Sequence, residues 1–201
     1  MIKMAGLREL FRGGKRPMAR LCREILEGVE RPVPSDPDSL FEVLRVYVEK
    51  RRAEKDAMDG LPFRPLHLLF REFPQGTASG LSLDLEDKWV IVVESNTSPI
   101  HQLVILAHEV WHVLNGHCTE HASHPANISA AARSLGGSLG DAEIQALAAR
   151  AHFDDQKEAD AEAFGLYMGD AFRGYLEADA RRVPEKGIAG RIQTSLGIRS
   201  S

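Results

Sequence analysis

What this chain has little of narrows its function before any motif is read. It carries only 2 cysteines, Cys22 and Cys118, in 201 residues. That is too few for a disulfide framework, so reduced thiols in a cytoplasmic protein are expected. Long apolar runs are also missing. The longest are Trp89–Val93 and Leu103–Ala107, far short of the roughly 20 residues that span a bilayer. Lys3 falls within the first three residues and no continuous apolar stretch follows, so no secretory leader is expected. Nor is there a large excess of charge. A net charge of -4 and a pI of about 6.1 do not point to nucleic acid or an acidic membrane as a partner. The one basic cluster, Arg12, Lys15, Arg16, Arg20 and Arg23, reads as a solvated helix face or a frayed terminus. No internal repeat stands out.

What is present has the balance of a soluble globular protein, with 43% hydrophobic and 27% charged residues. Leu7, Leu10 and Phe11 form a short apolar pattern that ends at Gly13-Gly14. Residues 17–29 and 38–58 read as amphipathic helices, separated by the three prolines of Arg31–Pro37. The first carries Leu21, Ile25 and Leu26 on one side; the second carries Leu40, Phe41, Leu44, Tyr47 and Val48, with a charged far end at Glu49–Arg52. The period then changes. Leu66–Phe70 has strand character, Gly80–Leu85 alternates apolar and polar, and Trp89–Glu94 is a β-branched strand buried on both faces. Short turns between them suggest a small, mostly antiparallel three-stranded sheet. A helix follows, capped by Ser98, entered through Pro99 and ended at Asn115-Gly116. Residues 118–140 form a Ser-, Gly- and His-rich insertion, Asp141 opens a helix to about His152, and another helix runs from near Asp155 toward Glu177. The expected organisation is an N-terminal helical region at 1–60, an α+β core at 61–183 and a polar tail at 184–201.

The chemistry concentrates at His108-Glu109-Val110-Trp111-His112. Four residues turn a helix by about 400°, so His108 and His112 share a face and can bind one zinc ion. Glu109 is rotated about 100° from His108, which suits a general base beside the metal rather than a ligand. As a bare pattern, H-E-x-x-H arises by chance. Here it sits in a helix that is apolar almost all round, from Leu103 to Leu114, where polar groups are costly without a purpose.

A catalytic zinc needs a third protein ligand. Glu158 is the best candidate, on a later helix, with Glu162 one turn beyond it to orient a ligand histidine. The plainer reading is that Asp155 and Glu158 form a capping box. A rival third ligand is Cys118, at the spacing of the longer H-E-x-x-H-x-x-G-x-x-H motif, although Asn115 replaces its glycine. Asp160, His117 and His101 are further candidates for groups that orient the ligands. His121, His124 and His152 read as loop residues, and Tyr167 reads as core within a stripe with Phe164 and Met168.

At these residues the chain resembles the ImmA/IrrE family of zinc metallopeptidases. The similar stretches are Ala78–Leu81, Trp89–Val93, Ser95–Pro99 and His108–His117, followed by Glu158-Ala159-Asp160-Ala161-Glu162-Ala163-Phe164-Gly165. The resemblance spans roughly residues 78–117 and 155–168. It implies a zincin-type helical core, Glu158 as third metal ligand, and a regulatory role: cleaving a cognate repressor, or acting as the toxin of a pair whose antitoxin binds DNA. Two features depart from the family pattern. Trp111 is bulkier than the small residue expected there, and the N-terminal helices lack a helix-turn-helix signature.

The expected activity is hydrolysis of a peptide bond by zinc held on His108, His112 and Glu158, with Glu109 moving the proton. The substrate is a protein or peptide, possible examples being a helix-turn-helix regulator encoded nearby, lying along an edge strand that the sequence does not identify. Two other readings remain open: a zinc-stabilised interaction module without catalysis, and a zinc hydrolase acting on a small non-peptide amide.

Overall fold

The computed structural model describes residues 16–28, 36–73, 78–116 and 155–180. They form helices α1 (Arg16–Gly28) and α2 (Pro37–Met58), strands β1 (Leu66–Arg71), β2 (Gly80–Asp84) and β3 (Trp89–Glu94), and helices α3 (Pro99–Asn115) and α4 (Asp155–Ala180). The apolar pattern at Leu7–Phe11, the insertion at 118–140, the helix expected at 141–152 and the tail from 184 lie outside the described residues.

Local chemistry sets the helix ends. Asp36 is extended (φ -79°, ψ 140°) and its carboxylate accepts from the backbone N–H of Ser39 at 2.8 Å. That hydrogen bond holds the Asp36 carboxyl below its ordinary range. Pro37, expected in the linker, instead opens α2, because a missing N–H costs nothing in a first turn. Pro99 opens α3 in the same way. Ser98 stands at the cap position, but its side chain makes no capping hydrogen bond. Gly116 closes α3 in the left-handed region at φ 73°, where a residue without Cβ meets no steric penalty.

The α+β class and the three strands are as expected; the strand directions need correcting. The sheet order is β1-β3-β2, with β3 central. β2 pairs antiparallel with β3, from Gly80↔Val93 to Asp84↔Trp89, whereas β1 pairs parallel with β3, from Leu66↔Trp89 to Arg71↔Glu94. A short turn such as 85–88 dictates only the pairing it joins. β1 connects to β2 through residues 72–79 but does not pair with it, so a mixed sheet replaces the mostly antiparallel one.

Register also assigns the faces. Leu66, Leu68 and Phe70 align with Trp89, Ile91 and Val93, and these in turn with Asp84, Ser82 and Gly80. This is the helix-covered face: Phe70 stacks on Phe41 of α2 with ring centroids 5.3 Å apart. The reverse face carries Leu81, Leu83, Val90 and Val92, which are buried too. Ser82, on the polar side of the alternation, is therefore fully buried. A polar residue on a strand covered on both faces has no solvent side to occupy.

Among the described residues, one apolar core joins all four helices. Met18, Cys22 and Ile25 of α1, Phe41 and Leu44 of α2, Ile91 and Val93 of β3, Leu103, Leu106 and Val110 of α3, and Phe164, Met168 and Phe172 of α4 belong to the same cluster. Each such side chain contributes about 1.5–3 kcal/mol on burial. The buried line of α1 is Met18, Cys22 and Ile25, while Leu21 and Leu26 are half-buried flanks. Arg20 and Arg23 are exposed, as expected of a solvated face.

The charged end of α2 divides. Arg51 is solvated, but Arg52 and Asp56 are buried and ion-paired at 2.7 Å. Arg64 pairs with the other Asp56 oxygen at 3.2 Å, and the Trp89 indole N–H donates to it at 3.3 Å. Both guanidinium carbons lie 4.3 Å from the Trp89 ring centroid. Arg52 also donates to the Val113 carbonyl near the end of α3 at 3.4 Å. This network ties α2, β3 and α3 together. Among the described residues, no helix is long and apolar enough to cross a membrane.

Candidate metal centre

Helix α3 presents His108 and His112 on one face, one turn apart. Their Nε2 atoms are 3.1 Å from each other, and the rings are tilted by 56° with centroids 4.8 Å apart. His112 is fully buried and the His108 side chain is 20% exposed. Glu158, in the first turn of α4, directs Oε2 to His108 Nε2 and Oε1 to His112 Nε2, each at 3.5 Å. These three residues form a group that could hold a metal ion.

The donor set fits such an ion. Tetrahedral bonds of about 2.0–2.1 Å to nitrogen and oxygen place ligand atoms roughly 3.3–3.4 Å apart. The two imidazole nitrogens are 3.1 Å apart and each has its own Glu158 oxygen at 3.5 Å, while one donor atom from each residue lies within 4.8 Å of the others. Oε1 of Glu158 is buried and accepts no hydrogen bond. A buried carboxylate oxygen in that state is costly until a cation meets it.

α4 comes close to α3 at two residues that lack a Cβ, Gly165 and Gly169. A Cβ on Gly165 would lie 2.7 Å from the Val104 carbonyl oxygen, and one on Gly169 would lie 2.7 Å from Val104 Cγ2. The two backbones therefore approach closely beside His108. Trp111 seals the same interface against Phe164, with ring centroids 5.3 Å apart. Its bulk is accommodated between α3 and α4 rather than in the cluster.

Glu109 projects from α3 in another direction, as its rotation from His108 requires. It is 3% exposed and lies against Gly80, the first residue of β2. That contact is not evident in the sequence. Its available clue was a glycine opening an otherwise apolar strand, which often marks a close approach.

The other candidates are not drawn to the imidazoles. His101 is exposed in the first turn of α3, its Nδ1 3.1 Å from Thr97 Oγ1. Asp160 accepts from Gln156 Nε2 at 3.0 Å on the surface of α4. Glu162 is exposed, one turn beyond Glu158 and on the outward side. Glu162, Asp160 and His101, the candidates for orienting a ligand histidine, thus sit on the surface side of their helices in this structure. Burying Ala161, Phe164 and Met168 against the core turns Glu162 toward solvent. His117, the rival ligand Cys118, and His121, His124 and His152 lie outside the described residues. Tyr167 is half-buried at the edge of the core.

No protein-family model, curated protein or solved structure matches the chain.

Proposed function

We propose that this protein is a zinc-dependent peptidase that hydrolyses a peptide bond in a regulatory partner protein. The observation that carries the reading is the convergence of Glu158 with both Nε2 atoms of a buried H-E-x-x-H helix. His108, His112 and Glu158 would hold the ion through two neutral imidazoles and one carboxylate. When bound, zinc supplies a Lewis acid that polarises a carbonyl and makes water a nucleophile near neutral pH.

The chain's own residues do the rest. Glu109 is one residue from a ligand yet outside the ligand set, and it accepts a proton from water and returns it to the leaving amine. β2 offers a place for an extended substrate. Glu94 N–H donates to Ser79 O at 2.8 Å and Leu85 N–H to Lys88 O at 3.0 Å. Odd-numbered residues of β2 therefore face β3, and the backbone groups of Gly80 point to the opposite edge. Among the described residues no strand pairs with that edge. A peptide added there passes beside Glu109, with main-chain hydrogen bonds supplying affinity.

Glu109→Gln tests the reading. The amide keeps the side chain's size, so the variant should fold and bind zinc like the parent. It cannot take the proton, and hydrolysis should fall on the order of a hundredfold to ten-thousandfold. The first substrate to try is a helix-turn-helix protein encoded alongside, as the resemblance to the ImmA/IrrE family suggests. If parent and variant bind that partner equally, neither cleaves it, and the variant keeps full biological activity, a non-catalytic zinc module replaces the peptidase. Turnover of small amides but never of peptides would move the reading to the third class.

A further inference from the structure

Gly80, outside α3, lies directly against Glu109. A Cβ placed on it would lie 2.5 Å from Glu109 Oε1, 3.0 Å from Glu109 Cγ and 2.7 Å from Ile105 Cγ2. Carbon atoms do not approach so closely, so any side chain at position 80 must displace one of these groups. The usual reason for a glycine does not apply. Among the described glycines only Gly60 and Gly116 have positive φ, so Gly80 is not there for a left-handed backbone. A glycine also weakens a strand, and this one opens β2 at the sheet edge. What it provides is the space that a Cβ would take, and the Glu109 carboxylate fills that space.

We infer that Gly80 is a positioning residue: its bare Cα seats the Glu109 carboxylate beneath the edge of β2, one residue along α3 from His108. Its chemical meaning rests on the peptidase reading. The strand along which an extended peptide is proposed to lie and the group proposed to move its proton are then set against each other by one close contact. A side chain at position 80 swings the carboxylate away while His108, His112 and Glu158 keep their places.

A stability cycle on the full, zinc-loaded chain tests this. Gly80→Ala should lower Tm by about 2–12 °C, the cost of overpacking a closed site, while zinc content stays at the parent level. In a Glu109→Ala background the same substitution should cost less than half as much, because the atoms it meets are gone. If Gly80→Ala alone fails to fold, recovery of folding by adding Glu109→Ala is the same result. With Co2+ in place of zinc, Gly80→Ala should shift the visible d–d bands as Glu109→Gln does, whereas Ile105→Ala should not. Equal Tm losses in both backgrounds, relief by Ile105→Ala instead, or loss of zinc from Gly80→Ala would each overturn the inference. The coupling does not depend on turnover, so a failed peptidase reading, seen through Glu109→Gln, is a separate outcome.

Discussion

At the residue scale, the centre depends on three donors from two helices. In the proposed zinc centre each supplies one of three protein bonds, so the parent is expected to bind about one zinc ion per chain and His108→Ala, His112→Ala and Glu158→Ala should each lose most of it. Metal analysis of the purified variants checks this, and undiminished zinc in both histidine variants would remove the centre. Cys118→Ser and His117→Ala should keep their metal; the reverse pattern would make Cys118 the third ligand. Cys22 behaves differently from a reactive thiol. Burial beside Met168 pushes its pKa up to about 11, so the nucleophilic thiolate is scarce at neutral pH. Peptide mapping after brief alkylation at pH 7.5 should find Cys22 unmodified until denaturant is added.

At the element scale, the close contact between α3 and α4 is expected to set the affinity of the proposed metal centre. Gly165 faces a backbone carbonyl, which cannot rotate away as a side chain can. Gly165→Ala should therefore push α4 outward, draw Glu158 off the imidazoles and weaken zinc binding on the order of 10–100-fold. Gly174 lies on the same helix with nothing within 4 Å of a Cβ placed there. Gly174→Ala should leave affinity unchanged and gain about 0.5–1 kcal/mol of stability, the ordinary benefit of removing glycine from a helix. Competition titration against a chromogenic chelator measures both. Equal affinities for the two variants would show that close approach does not set the ligand geometry.

At the scale of the whole molecule, two features connect stability to parts distant in sequence. Asp56 balances the buried guanidinium of Arg52 and that of Arg64 beneath Trp89. Asp56→Ala leaves Arg52 without a counter-charge and Arg64 with only that of Asp84, and breaking a buried pair from one side costs about 3–5 kcal/mol. For a chain of this size that lowers Tm by about 6–20 °C. Thermal denaturation checks it, and a loss below 2 °C would mean the network is hydrated rather than buried. The second feature is the proposed metal centre. An ion bound only by the folded state stabilises it by mass action. A chelator should thus lower the Tm of the parent and leave that of His112→Ala unchanged.

The elements could be read from sequence because their signals are local. Pro99 and Gly116 bound α3 through backbone chemistry, and the four-residue spacing puts His108 and His112 on one face wherever that helix lies. The alternation and β-branching of residues 80–94 gave two strands and the turn between them. Other features depended on which surfaces meet. β1 lies parallel to β3 rather than beside β2 because pairing is decided across the sheet, not along the chain. Arg52 and Ser82 look solvent-facing in sequence and are buried, since exposure depends on what covers a face. The side of α4 on which Glu162 lies is set by burial of Ala161, Phe164 and Met168, which turns it toward solvent. Glu158 was a candidate by pattern, but its 3.5 Å approach to both imidazoles arises where α4 meets α3, the two helices lying close at Gly165 and Gly169. Periodicity and capping act within a few residues and so are written in the order of the chain. Ligand distances and the seat of Glu109 on Gly80 arise between segments far apart in that order, and only tertiary packing decides them.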